Sequence, residues 1–232
     1  MHSFKNKSFA AILLVFAFLF SACAATSDNP DASAKTYSQV QENKQMLLEQ
    51  SFASFRDYVN RDMPPESLFV FITDTSRYWM DTLELAAQTE SLNLLEERPF
   101  HEVLAIITYR LYEKEKMWTV PENRMLFIMI SKNGILWKLT DQDFGPAEVR
   151  NDRGTVGLSI TPKIPLMIFT WDDLSWRLNL RETMPLVMRG FETIAIKKNW
   201  TKTQLALDIL EKEFRYDVLT IDDSLLWPIP AI

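Results

Sequence analysis

Few side chains in this sequence could do covalent or acid–base chemistry, and they lie far apart. Of 232 residues one is a cysteine, Cys23, and two are histidines, His2 and His101. A lone cysteine can close no internal disulfide and build no multi-cysteine metal site. A Ser-His-Asp triad in the body of the chain would have to use His101. Pro99-Phe100-His101-Glu102 reads as the first turn of a helix, which predicts a surface histidine rather than a general base. Closely spaced acids occur at Asp141 and Asp143, at Asp172-Asp173 and at Asp222-Asp223. Such pairs can share a proton or hold a hard cation. Aspartate is also the residue that accepts backbone hydrogen bonds in turns, and turns are what these positions predict. Asp143-Phe144-Gly145 matches a kinase metal-binding triplet, but no glycine-rich loop or His-Arg-Asp accompanies it. The expectation is no metal and no cofactor. If the chain is an enzyme, Asp74, Asp81 and Glu102, which lie near aromatic residues on helical stretches, are the carboxylates that could serve as general acid or base.

Apolar recognition is better supplied than catalysis. Seven tryptophans and 15 phenylalanines could line a concave, largely apolar site, although at helical and alternating spacings the same residues build a core. Trp79, Tyr109, Trp137, Trp171 and Trp176 are the candidates for a ligand pocket.

The first 22 residues carry Lys5 and Lys7, an unbroken apolar run from Phe9 to Phe20, and then small residues. That is the layout of a secretory signal peptide. Phe20-Ser21-Ala22-Cys23 resembles the lipobox of bacterial lipoproteins. The resemblance implies cleavage before Cys23 and fatty acylation of its thiol. Phe20 stands where that family usually has Leu, Val, Ile or Ala. Cleavage by an ordinary signal peptidase within Ala22 to Ala25, or retention of residues 9–25 as an anchor, are the alternatives. The resemblance also implies a cell-envelope location. In a Gram-negative cell Ala24, not being aspartate, implies the outer membrane, on its periplasmic side or surface. Removing residues 1–22 leaves 23 basic against 31 acidic side chains. This excess of negative charge argues against nucleic acid as a partner. The partners expected are the membrane, through the lipid, and an envelope protein or an apolar small molecule.

The elements that must position these residues follow from periodicity. Residues 23–43 are polar and small, which suits a flexible tether, and 44–232 form a single domain. Leu48, Phe52, Phe55 and Val59 mark a helix over about 44–60. Ser76 caps a second helix and Pro99 opens a third, while Leu68 to Ile72 fits strand or helix. Asn133-Gly134 joins Met125–Ile130 to Ile135–Thr140 as a β-hairpin. Ala147–Arg150 pairs with Thr155–Ile160, and Leu166–Trp171 with Leu174–Leu180. Helices over about 183–198 and from Thr201, where Thr-Lys-Thr-Gln fits a capping box, follow. Residues 217–232 read as an extended segment. The fold class expected is α+β: N-terminal helices packed on a curved antiparallel sheet of about six meander strands, with C-terminal helices.

Helices followed by three strand pairs, the last reading Phe169-Thr-Trp-Asp-Asp-Leu-Ser-Trp-Arg-Leu-Asn-Leu180, resemble the nuclear-transport-factor-2-like (SnoaL-like) superfamily over Lys44 to Leu180. That resemblance implies a sheet curved around a helix-lined cone, in a group holding isomerases, dehydratases and members without activity. The helical extension from Thr183 and the Pro64-Pro65 interruption depart from it. The function expected is that of a membrane-anchored envelope lipoprotein whose soluble domain binds a protein partner or an apolar ligand without catalysis. The alternative is an isomerase- or dehydratase-like enzyme of the cone type using a buried carboxylate.

Overall fold

The stripe Leu48, Phe52, Phe55 and Val59 is buried along one side of the first helix, α1 (Pro30–Asn60). In the computed structural model, residues 30–229 are described apart from Asn133 and Asp173, with side chains described from residue 39. The lipobox, Cys23 and the signal segment lie outside the described residues. The chain divides into two units, 1–38 and 39–232. The described backbone is helical from Pro30, so helix covers residues 30–43 of the segment expected to be a tether. Among the described residues no helix is long and apolar enough to cross a membrane.

Past Val59 the backbone turns at Asp62, whose φ is 54°. A short helix α2 (Pro65–Leu68) and a 3₁₀ turn at Phe69–Phe71 resolve the ambiguous run. Helix α3 (Asp74–Thr89) is capped by the Thr73 side chain, which accepts from the Ser76 amide. Ser76 is therefore not the cap. It is fully buried in the first turn, where its hydroxyl accepts from the Leu180 amide at 2.8 Å. A short α4 (Leu92–Glu97) leads to α5 (Phe100–Lys114) after Pro99. Buried residues lie around nearly the whole circumference of α5, as in a helix enclosed by protein. It packs against α3 and, later in the chain, against α6 (Arg124–Ile130), α8 (Leu180–Lys198) and α9 (Lys202–Glu213).

The predicted first hairpin is two helices, α6 and α7 (Ile135–Thr140). Burial in α6 falls at Met125, Leu126, Ile128, Met129 and Ile130, a helical set rather than an alternation. Methionine and leucine also favour helix over strand. Gly134 has φ −74°, so it serves no left-handed hairpin turn. Its role is close approach: a Cβ there would lie 2.3 Å from the Met129 carbonyl oxygen and 2.4 Å from that of Ile128.

Among the described residues four strands remain, β1 (Glu148–Arg150), β2 (Arg153–Val156), β3 (Met167–Trp171) and β4 (Trp176–Leu178). They form one antiparallel sheet in the order β1-β2-β3-β4, so the general class α+β holds while the sheet has four strands instead of about six. The turn at Asn151-Asp152 is tighter than the four residues expected, with Asn151 at φ 56°. Met167, Ile168 and Phe169 are buried in succession, so β3 is covered on both faces. Gly154 lets α1 sit close: a Cβ there would meet Leu48 Cδ2 at 2.6 Å. The Trp176 indole donates to the Lys44 carbonyl at 2.7 Å and completes that junction.

Helix α8 leaves β4 through Asn179, whose side chain accepts from the Glu182 amide. The capping box of α9 is formed in full by Thr201 and Gln204. The expected extended tail instead contains a 3₁₀ turn at Asp223–Leu226. This tail is tied to the body by Arg110 of α5, which is only 2 % exposed. Its guanidinium donates to the carbonyls of Ala87 at 2.9 Å, Ala86 at 3.3 Å and Glu90 at 2.5 Å, at the end of α3, and to that of Leu225 at 3.3 Å. Burial works against the charge and lowers its pKa to about 10, which still leaves it a cation at neutral pH. Replacing it strands the carbonyls of Glu90 and Leu225, each costing about 1–3 kcal/mol when unpaired, while those of Ala86 and Ala87 keep the amides of Glu90 and Ile229. Arg110→Met is expected to lower unfolding stability by at least about 2 kcal/mol in urea denaturation. A loss below about 1 kcal/mol would show that these carbonyls find other partners.

Candidate functional site

Helix α5 presents His101, Leu104, Ala105, Thr108 and Tyr112 as one stripe, at intervals of 3, 1, 3 and 4. The stripe floors a cleft of about 350 Å³, within the range of about 300–1,000 Å³ typical of small-molecule sites. One wall is α8, through Met184, Met188 and Phe191. The other is built by Ile128 and Met129 of α6, Gly134 and Ile135 at the start of α7, and Ile209, Leu210 and Phe214 of α9 and its end. Three methionines give these walls adaptable packing. Phe191 also stacks on Phe100, with ring centroids 6.0 Å apart, and so fixes the α8 wall against α5.

The polar groups in the cleft are few and mostly occupied. The Thr108 hydroxyl donates to the Leu104 carbonyl at 2.7 Å. The Tyr112 hydroxyl lies 3.4 Å from Ser131 Oγ, and burial raises its pKa. At the rim Lys138 pairs with Glu213, and Lys212 with Asp208 at 2.6 Å. His101 is the exception: among the described residues no hydrogen bond reaches its ring. Its ring centroid is 6.0 Å from that of Trp79. Burial lowers its pKa, against the opposing fields of Glu102 beside it and Glu192 on α8. It is a first-turn residue of α5 as expected, but it is 7 % exposed and faces the cleft instead of the surface.

The five aromatic pocket candidates are not brought together. Trp79 of α3 is buried and donates its indole N–H to Glu102 at 2.9 Å. Tyr109 of α5 packs on Trp118, at 4.9 Å between ring centroids. Trp137 of α7 is partly buried against the core. Trp171 and Trp176 meet edge to face at 5.3 Å on the sheet, with the Lys44 ammonium over Trp171. None of the five is among the residues lining the cleft. Met184, Met188 and Phe191, which do line it, repeat at intervals of 4 and 3. That spacing is readable in the sequence, but methionine is as much a core residue as a ligand contact, and aromatic rings stand out ahead of it.

The carboxylates are committed elsewhere. Glu102 takes the Trp79 indole on one oxygen and Arg98 on the other, at 2.5 Å. Arg98 also grips Glu90 through two hydrogen bonds of 2.6 Å, which lowers the Glu90 pKa. Asp74 and Asp81 are exposed on α3. Glu84 is desolvated, which raises its pKa, and accepts from the Met125 amide at 2.7 Å, where it caps α6. Of the paired acids, Asp172 accepts from the amide and hydroxyl of Ser175. Asp222 accepts from Ser224 and Lys114, which hold its carboxyl down at about 2. Asp173 lies outside the described residues. Among the described residues no group of three or more His, Cys, Asp or Glu side chains is placed to hold a metal ion.

Comparison of this chain with protein-family models, with curated proteins and with solved structures finds no match.

The desolvated imidazole fixes a pH dependence. The unfolded chain takes up this proton near the ordinary histidine pKa of about 6.5, and the folded chain only at lower pH. Stability therefore falls as pH drops through that interval. Nuclear magnetic resonance is expected to show His101 titrating below about 6.5. Urea midpoints between pH 7 and pH 5 should fall less steeply in His101→Phe than in the unaltered chain. Equal slopes would show that the ring gains its proton without penalty.

Proposed function

We propose that this chain is an envelope lipoprotein, held to a membrane through fatty-acylated Cys23, whose helical body binds an apolar small molecule in the α5 cleft without transforming it. The observation that carries the binding reading is the cleft itself. It has apolar walls from four helices, three adaptable methionines and only a few polar groups. The anchoring reading rests on the lipobox resemblance and on the chain's only cysteine standing at the position where acylation would occur.

The commitment of Glu102 and Glu84 to other partners supports binding over catalysis. A general acid or base must reach the proton it transfers, and Glu102, next to the cleft histidine in sequence, is held by Trp79 and Arg98. Glu84, partly buried with a raised pKa, is turned to the α6 amide. The cone-type enzyme reading needs a free buried carboxylate inside an aromatic pocket, so the geometry supports it less well.

Two measurements test the two halves. Cells grown with an alkynyl palmitate analogue should yield labelled protein, and Cys23→Ser should abolish the label; unlabelled protein would end the lipoprotein reading. The neutral probe N-phenyl-1-naphthylamine should brighten on binding the purified chain. Filling the cleft with Ala105→Leu, which adds three carbons to its floor, should weaken probe binding about tenfold or more. Unchanged affinity in that variant would place apolar binding somewhere other than this cleft.

A further inference from the structure

The polar groups of the cleft define a ligand class, an inference that rests on the binding reading above. From His101 to Tyr112 the floor runs eleven residues along α5, about 16 Å at 1.5 Å per residue. It therefore suits an elongated, chain-shaped occupant. At the rim Lys138 is paired with Glu213, and Lys212, which shares Asp208 with Lys198, is largely exposed to solvent. Water and these acids satisfy both ammonium groups, so neither is held out for a carboxylate or phosphate. At the far end Glu102 of α5 and Glu192 of α8 set a negative field around His101, which disfavours an anionic head group there. Trp79 of α3 contributes only a ring to that environment.

What remains is an imidazole with 7 % exposure and no hydrogen-bond partner among the described residues. Its ring nitrogens are not among the buried unpaired atoms of the structure, so they open to the cleft, where a ligand hydroxyl can take the place of water. A neutral imidazole offers one N–H donor and one acceptor nitrogen, and a hydroxyl can complement either. We propose that the cleft accepts a neutral single-chain aliphatic molecule ending in a hydroxyl, and that His101 is the residue that selects the hydroxyl. The chain lies along the α5 stripe between the methionines of α8 and the α6–α7–α9 wall. The head group hydrogen-bonds the ring.

Calorimetric titration of the full chain, held in an amphiphilic polymer at pH 7.5, with octan-1-ol, 1-chlorooctane and octanoate tests this. Octan-1-ol is expected to bind about fivefold tighter than 1-chlorooctane, the worth of one neutral hydrogen bond, and octanoate more weakly than the alcohol. His101→Leu should erase the preference for the alcohol while 1-chlorooctane binds as before, and His101→Gln should keep part of it. Equal binding of alcohol and chloride, tightest binding of octanoate, or an undiminished preference in His101→Leu would overturn the role of His101. Should His101→Leu fail to fold, the three ligands against the unaltered chain and His101→Gln decide the matter. Binding of none of the three would overturn the cleft reading itself, and the ligand class with it.

Discussion

One buried cation sets the position of the helix on which the rest of the body is assembled. Arg110 lies nine residues beyond His101, about two and a half turns, and so on the opposite side of α5. Its guanidinium takes the carbonyls at the end of α3 and the Leu225 carbonyl of the tail. A planar fork with five donors can satisfy several carbonyls at once, which an ammonium cannot do in the same geometry. The back of α5 is thereby pinned to α3 and the tail by hydrogen bonds that have no solvent to replace them. The front is left to floor the cleft.

That division accounts for how a helix buried almost all round can carry a binding surface. The other contacts around the cleft are of the same kind, polar groups bound to one another so that the interior stays apolar. Glu96 binds the amides of Lys202 and Thr203 and docks α4 on the start of α9. Glu84 does the same for the start of α6. Carboxylates at helix N-termini meet free amides and the positive end of the helix dipole. With these acids occupied in holding helices, His101 is a cleft group that no hydrogen bond reaches among the described residues. A fixed back, an adaptable methionine wall and one imidazole open to the cleft are the features on which the proposed binding of a small amphiphile rests. A lipid-modified Cys23 would hold that receptor where such molecules are concentrated.

Much of the frame was legible in the sequence because it rests on local signals. The α1 stripe, Pro99 before α5 and the Thr201 capping box need only spacing and residue type. The two later hairpins were announced by turn residues around Asn151-Asp152 and Asp172-Asp173. Asn133-Gly134 fits a hairpin turn only if its glycine answers a torsional requirement. At Gly134 it meets a steric one, the approach of α7 to the carbonyls ending α6, and only tertiary contact reveals that. Ser76 in place of Thr73 is a displacement of three residues between two hydroxyls equally able to cap. The site was less legible than the frame. His101 was expected at the surface because Glu102 beside it and the helix start suggested exposure, yet α8 and α3 fold over that end of α5. The five aromatic candidates were grouped on an expected cone, and the structure uses them at separate points: Trp79 to hold Glu102, Trp176 to join α1 to the sheet, Tyr109 against Trp118.

The central claim is that the cleft between α5, α8 and the α6–α7–α9 wall is where an apolar molecule binds. Methionine methyl resonances report on it directly, because Met129, Met184 and Met188 line the cleft while Met80 and Met167 are buried elsewhere. On addition of octan-1-ol to methyl-labelled protein, the account predicts shifts for Met129, Met184 and Met188, with Met80 and Met167 unmoved. Silence at all five, or shifts of equal size at Met80 and Met167, would contradict it.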